Sequence, residues 1–230
     1  MITSPHNEKL KEVRKLLKRR DDLRFVAEGE DLLEAADAAG WQPVERFVAA
    51  GSNLEGTEVE PELLAKASSL GSGTRALGVY EQRWAGTPTG PLCVALWGVG
   101  DPGNVGTVLR SALAFGAASV AIGPDCADPF GPKAVRASMG AVFAVPVARI
   151  ERVEDLPGPR LALAARQGEP LQGPLDAATL VVGAERSGLP DDVVAGCDRV
   201  AHLPIAEASE SLNAAMAATV ALYEVTRPCP

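Results

Sequence analysis

"LCVALWGVGDPGNVGTVLRSALAFGA", residues 92–117, reads as an apolar strand, a glycine-rich turn and a helix. Gly98, Gly100 and Gly103 satisfy G-x-G-x-x-G, and Asp125 follows 22 residues after the last of them, beyond the strand-like run "SVAIG". A glycine turn ahead of a helix exposes main-chain N–H groups at the positive end of the helix dipole, which favours an anion of unspecified kind. With an acidic residue downstream the pattern is also the dinucleotide-binding fingerprint, so one reading is a Rossmann-type NAD-dependent oxidoreductase. Pro102 weakens that reading by removing an N–H from the loop that would cradle a pyrophosphate. Nothing downstream offers an obvious hydride-transfer histidine or lysine.

Working outward, the runs "LCVALW", "SVAIG", "VFAVPV", "LALAAR" and "TLVVGAE" are strand candidates. Helices are expected over 104–115, over 132–139 and in a long segment after Ser211. Strands this apolar suit a parallel sheet with helices on both faces. The last helix, "LNAAMAATVALYEV", is apolar nearly all round, which fits a helix either deeply buried or shared with a second subunit.

Upstream, Ser4-Pro5 is a plausible cap and first turn for a helix reaching about Arg20, with Leu10, Val13, Leu16 and Leu17 on its apolar face. "RFVAEG", "VERFVAAG" and "ALGVYEQR" alternate with the helical "EDLLEAADAAG" and "PELLAKASSLG", giving a small α/β unit. "AGTPTGP" has linker composition. The expected organisation is an N-terminal domain over 1–84, a linker over 85–91 and a larger domain over 92–230.

The hydrophobic fraction of 47% supplies a packed core, and no run approaches the ~18 apolar residues of a membrane helix. "MITSPHNEKLKEV" lacks the apolar segment of a signal peptide, so a cytoplasmic protein without membrane contact is expected. Cys93, Cys126, Cys197 and Cys229 are widely spaced and the two histidines, His6 and His202, lie far apart, so neither a disulfide framework nor a metal site is suggested. A net charge of −8 argues against indiscriminate nucleic-acid binding. Locally, however, eight basic residues stand between Lys9 and Arg24 against three acidic ones. Lys11, Lys15 and Lys18 fall on one helical stripe beside Arg14.

Three strand-end segments carry polar side chains where an α/β sheet binds its ligands. The opening stretch holds Asn104 and Arg110; "VVGAERSGLP" holds Gly183 and Glu185; "HLPIAEASESLNAAMAA" holds Ser211 and Asn213. Arg110, in an otherwise apolar helix, needs a partner. It either snorkels outward, pairs with Asp101 or Glu185, or serves a site.

"DPGNVGTVLRSALAFG", "VVGAERSGLP" and "LPIAEASESLNAAMAA", in this order, resemble the three motifs of the SpoU (TrmH-like) family of RNA ribose 2′-O-methyltransferases in the SPOUT superfamily. "KAVRASMGAVFAVPV" resembles the region between the motifs. "HNEKLKEVRKLLKRRDDLRFVAEGEDLLEAA" resembles the small RNA-recognition domain, similar to a ribosomal-protein fold, that many members carry. The resemblance implies a C-terminal SPOUT-type parallel sheet with a trefoil knot, S-adenosylmethionine as cofactor, structured RNA as substrate with ribosomal RNA favoured over tRNA, and a homodimer.

It also implies roles for Asn104, Arg110, Glu185, Ser211 and Asn213 in catalysis. Main-chain groups around Gly183, Leu203, Ile205 and Leu212 would hold the cofactor, and Lys11, Arg14, Lys15 and Lys18 would hold RNA. Two motifs depart from the family pattern: Ala184 and Arg186 stand in the second where many members have asparagine and glycine, and Glu207 and Ala208 replace glycines common in the third. A non-catalytic RNA-binding homologue is the alternative these departures raise. In the family, the arginine matching Arg110 has been proposed as a base. A guanidinium stays protonated near neutral pH, so Arg110 is read here as stabilising a developing alkoxide and gripping a phosphate.

Overall fold

The computed structural model describes residues 1–18, 23–70 and 73–227, arranged around two sheets. Arg20 and Cys229, named above, lie outside the described residues. The first sheet has the order β1-β4-β2-β3, built from β1 (Arg24–Glu28), β2 (Glu45–Ala49), β3 (Thr57–Val59) and β4 (Ala76–Glu81). β4 runs antiparallel to both β1 and β2, whereas β2 and β3 are parallel. Three helices accompany it: α1 (Glu8–Lys18), α2 (Glu30–Ala38) and α3 (Pro61–Ala67).

The helix start expected at Ser4-Pro5 moves to Asn7. Asn7 Oδ1 accepts from the N–H of Lys9 at 3.0 Å and of Leu10 at 3.4 Å, and its carbonyl takes the first helical bond from Lys11. An asparagine satisfying two orphan donors outcompetes the more distant serine.

Period-two alternation divides the small sheet's side chains between two cores. Val26, Leu77 and Val79 face Leu10, Val13, Leu16 and Leu64 from α1 and α3. Phe25, Ala27, Ala76 and Tyr80 face the other way, into a core shared with the larger unit. At that junction Trp41 Nε1 donates to the Phe143 carbonyl at 2.8 Å, and the Phe25–Phe130 and Tyr80–Phe143 ring centroids lie 5.0 and 5.1 Å apart. The two units therefore share one apolar core. The 85–91 segment is tied down as well: Ala85 bridges to Ala148, and the Thr89 N–H donates to Ser119 Oγ at 2.8 Å.

The second sheet is parallel throughout, with the order β7-β6-β5-β10-β8-β11-β9. Its strands are β5 (Leu92–Leu96), β6 (Ser119–Ile122), β7 (Val147–Arg149), β8 (Arg160–Leu163), β9 (Glu169–Pro170), β10 (Ala178–Val182) and β11 (Arg199–His202). Its helices are α4 (Pro102–Ala114), α5 (Pro132–Ser138), α6 (Ala141–Ala144), α7 (Asp191–Ala195) and α8 (Ala214–Thr226). Val94, Leu96, Leu180 and Val182 pack against α4, α5 and α8, while Cys93, Ala95 and Val181 pack beneath Ile150, Val153 and Val193. Both faces are covered, which is why these strands read as continuous apolar runs. Gly106 lets α4 and α5 touch, since a Cβ there would stand 2.3 Å from the Ala134 carbonyl.

The run "VFAVPV" is not the strand expected from its apolarity. Residues 141–144 form the short α6 and the strand begins only at Val147, after Gly140 at φ 89° and Pro146 have reset the chain. Short apolar runs carry no period that separates the two choices. The brief β3, β9, β11 and α7 have too little pattern to have been expected.

Candidate functional site

The site forms where the chain leaves β5, β10 and β11. After β5, Gly98 takes φ 68°, a left-handed turn that a side chain would strain. Asp101 then caps α4, its Oδ1 accepting from the Asn104 N–H at 2.9 Å, and Pro102 occupies the first helical position, where no N–H is needed. Gly103 thus belongs to the helix rather than to the turn. After β10, the chain doubles back in a hairpin closed by two main-chain bonds between Ala184 and Gly188, at 3.1 and 3.0 Å. Gly183 permits this closure, because a Cβ there would lie 2.3 Å from the Gly188 carbonyl carbon. After β11, residues 203–212 lead to Asn213, whose Oδ1 caps α8 by accepting from Ala215 and Met216 at 3.0 and 3.2 Å.

Three of these side chains form a relay. Asn213 Nδ2 donates to Asn104 Oδ1 at 3.1 Å, and Asn104 Nδ2 donates to the Glu185 carboxylate. Each amide uses its oxygen and its nitrogen toward different partners, which fixes its orientation. One carboxylate is therefore held at the meeting point of two helix N-termini, where negative charge is favoured.

Glu185 and Arg186 sit on the wall between two cavities. An open groove of about 640 Å³ is bounded by Gly98, Gly100, Asp101, Asn104 and Asn213 on its other sides. A deeper cavity of about 360 Å³ includes Gly183, Leu203, Ile205, Ser211 and Leu212 in its lining, and falls in the size range of small-molecule sites. The main-chain groups of Leu203, Ile205 and Leu212 have no hydrogen-bond partner among the described residues. Apolar walls with free main-chain donors and acceptors suit a flat heteroaromatic ring that must be both packed and hydrogen-bonded. Burial pushes the nearby Cys126 thiol above its ordinary range, so no thiolate is favoured beside the Gly98 turn.

The structure brings together Asn104, Glu185 and Asn213 at the groove, and Gly183, Leu203, Ile205, Ser211 and Leu212 at the cavity. It leaves Arg110 apart. Six residues beyond Asn104, Arg110 lies roughly 9 Å along the α4 axis and about 120° around it. It is exposed, borders neither cavity, and has no partner among the described residues, so the alternatives of pairing with Asp101 or Glu185 do not occur. Asp125 is an exposed turn residue bordering neither cavity, so the acid of the dinucleotide fingerprint is not where a ligand would meet it.

On α1, Lys15 and Lys18 are exposed without partners among the described residues, and Lys11 pairs with Glu8 at 2.7 Å. Arg14 is turned back on its own unit, donating to the carbonyls of Leu10 at 3.1 Å and Pro5 at 2.8 Å. Sequence reasoning had assigned no part to Asp101 as a cap or to Arg186. The capping pattern Asp-Pro and the adjacency of Arg186 to Glu185 were the available signals.

Residues 91–223 match the model of the SpoU rRNA Methylase family. The chain is 31% identical, over 98% of its own length and 93% of the relative's, to a Synechocystis sp. protein named as an uncharacterized tRNA/rRNA methyltransferase. It is 35% identical to a 23S rRNA uridine 2′-O-methyltransferase of Streptomyces viridochromogenes, over 55% of this chain and 49% of that one. Among solved structures, an AdoMet-bound rRNA methyltransferase from Sinorhizobium meliloti superposes with a TM-score of 0.87 at 29% identity, covering 98% of this chain and 97% of that one.

Proposed function

The chain belongs to the SpoU rRNA methylase family, and we propose that it methylates a ribose 2′-hydroxyl of structured RNA, ribosomal RNA before tRNA, using S-adenosylmethionine. It is an RNA methyltransferase. The observation that carries it is the relay from Asn213 through Asn104 to Glu185, set on the wall between a deeper cavity and an open groove. A cofactor in the cavity and a nucleotide in the groove would meet at that wall.

The donor set fits S-adenosylmethionine. Leu203, Ile205 and Leu212 would offer apolar contact and free main-chain groups to an adenine, Gly183 lines the same cavity, and Glu185 would supply negative charge to a sulfonium. When bound, the cofactor supplies an electrophilic methyl group. The remaining work is positioning. Glu185, with one oxygen engaged by Asn104, has lone pairs left to accept a hydrogen bond from an incoming hydroxyl and aim its oxygen. Ser211 lines the same cavity as Glu185.

The Arg110 guanidinium stabilises the oxygen as negative charge develops, while gripping the adjacent phosphate. Because it borders neither cavity of its own chain, it would act in the site of a second copy. A homodimer is supported by α8, whose buried stripe of Ala214, Ala218, Ala221 and Leu222 is opposed by the exposed Met216, Val220 and Tyr223, and Leu113 of α4, the helix packed against it, is exposed as well. Four large apolar side chains exposed on two helices packed together mark an interface rather than a solvated face.

Residues 1–84 would form the RNA-recognition unit and 92–230 the methyltransferase unit with its knotted path. Lys15 and Lys18, with Lys11, would follow the RNA backbone. The test is transfer of a labelled methyl group to unmodified ribosomal and transfer RNA, followed by digestion to nucleosides. The label must emerge on a ribose oxygen.

A further inference from the structure

Residues 203–212 form one side of the deep cavity, yet they are joined to the rest of the protein by very little. Within the segment, the Ser209 N–H donates to the Ala206 carbonyl at 3.0 Å and Ser209 Oγ to the Ser211 carbonyl at 3.2 Å. Among the described residues, every hydrogen bond between this segment and the remainder of the chain comes from one side chain, Arg166. Its Nη2 donates to the carbonyls of Glu207 and Ser209, both at 2.8 Å, with the Ala206 carbonyl at 3.4 Å.

We propose that Arg166 is a positioning residue that staples the 203–212 segment to the carboxyl end of β8 and so holds the S-adenosylmethionine cavity in shape. This rests on the cofactor reading given above. Two details of placement support it. Ala165 and Gln167 line the cavity but Arg166 does not, so its side chain reaches across the segment instead of touching a ligand. On the far side, Ile205, Ser211 and Leu212 bracket the three stapled carbonyls and line the cavity themselves.

The backbone of Arg166 is left-handed, at φ 59°, a conformation unusual for a side chain of this size. Hydrogen bonds from a guanidinium are charge-assisted and directional, and an arginine can engage several carbonyls of a bend at once. The staple also accounts for Glu207 and Ala208 where the family favours glycines. Glu207 is exposed and borders neither cavity, and it is its carbonyl that Arg166 holds. A loop whose shape is set from outside does not need glycines to wrap its ligand.

The test uses the full chain and the variants Arg166→Gly and Arg166→Lys. Glycine keeps the left-handed backbone available while deleting the side chain, and lysine keeps the charge with a single head group. Hydrogen exchange of the Ser209 amide, the one N–H of 203–212 with a hydrogen bond among the described residues, should quicken about tenfold in Arg166→Gly in the protein alone, with the strands unchanged, as expected for losing two charge-assisted bonds at an exposed site. The equilibrium Kd for S-adenosylmethionine and its KM should rise together by about tenfold, with kcat at saturation within about twofold. Arg166→Lys should recover part of both effects.

Unchanged exchange overturns the staple, and faster exchange with an unchanged Kd overturns its link to the cofactor. Failure of the wild-type protein to bind S-adenosylmethionine overturns the cavity reading, and the cofactor half of this proposal with it. The exchange result judges the staple independently.

Discussion

Asn213 and Asn104 stand 109 residues apart in the chain, and the amide of the first donates to the amide oxygen of the second at 3.1 Å. This bond ties the N-terminus of α8 to that of α4. Asn213 has two tasks at once, because its oxygen caps α8 while its nitrogen orients Asn104 toward Glu185. Stability and activity therefore meet in a single side chain, and suitable substitutions separate them.

Asn213→Asp keeps the capping oxygen but loses the donor to Asn104. It should melt near the wild-type temperature yet lose about tenfold or more in kcat/KM for methyl transfer. Asn213→Ala should lose both, with about 1 kcal/mol of stability gone with the cap. Thermal melts beside initial rates make the comparison. Equal loss of stability in the two variants would deny the division of labour.

Arg110 is exposed and unpartnered, so Arg110→Ala and Arg110→Lys should leave the melting temperature within the small range of surface changes. Turnover should fall by about a hundredfold in the alanine variant, with lysine only partly restoring it, because a point charge cannot reproduce a planar fork. A mixture of Arg110→Ala and Glu185→Ala chains, co-folded, should regain activity that neither variant has alone, since one mixed site would hold an intact Glu185 and the partner's intact arginine. No recovery would return Arg110 to its own chain's site.

The large parallel sheet was readable from its apolar runs, and the site from three polar strand ends. Two features were not. The separation of Arg110 from Asn104 follows from helix geometry, but which side of α4 meets the groove depends on a hairpin 81 residues away. The merging of the two units through Phe25, Trp41, Tyr80, Phe130 and Phe143 was likewise hidden. Alternation in β1 and β4 shows two buried faces without saying what covers each. Arg166, the last residue of the strand run "LALAAR", lies beyond the end of β8 at Leu163, and its role was hidden because its partners are main-chain carbonyls, which no side-chain pattern advertises.

The shared core has a thermodynamic consequence. Trp41→Phe removes the bond to the Phe143 carbonyl and should cost about 1 kcal/mol, while Trp41→Ala should cost about 3–5 kcal/mol. Because the core belongs to both units, denaturant unfolding should show one transition by fluorescence and by circular dichroism. Two separated transitions in the wild-type protein would contradict the shared core.

Burial pushes the Cys197 thiol from an ordinary 9.0 to about 11. The unfolded chain then releases this proton at a lower pH than the folded one, so stability is fully present below about pH 9 and declines as pH rises toward 11. Melting temperatures across that window should fall, and Cys197→Ala should flatten the decline. An unaltered slope in the variant would assign the alkaline loss to other groups.

The central claim is tested most directly by following labelled methyl groups from S-adenosylmethionine into unmodified ribosomal RNA, with wild-type protein and Asn104→Ala side by side, and digesting the product to nucleosides. The account predicts label in a 2′-O-methylnucleoside and a rate about a hundredfold lower in the variant, whose Glu185 has lost its amide partner. Label on a base, or equal rates from the two proteins, would contradict it.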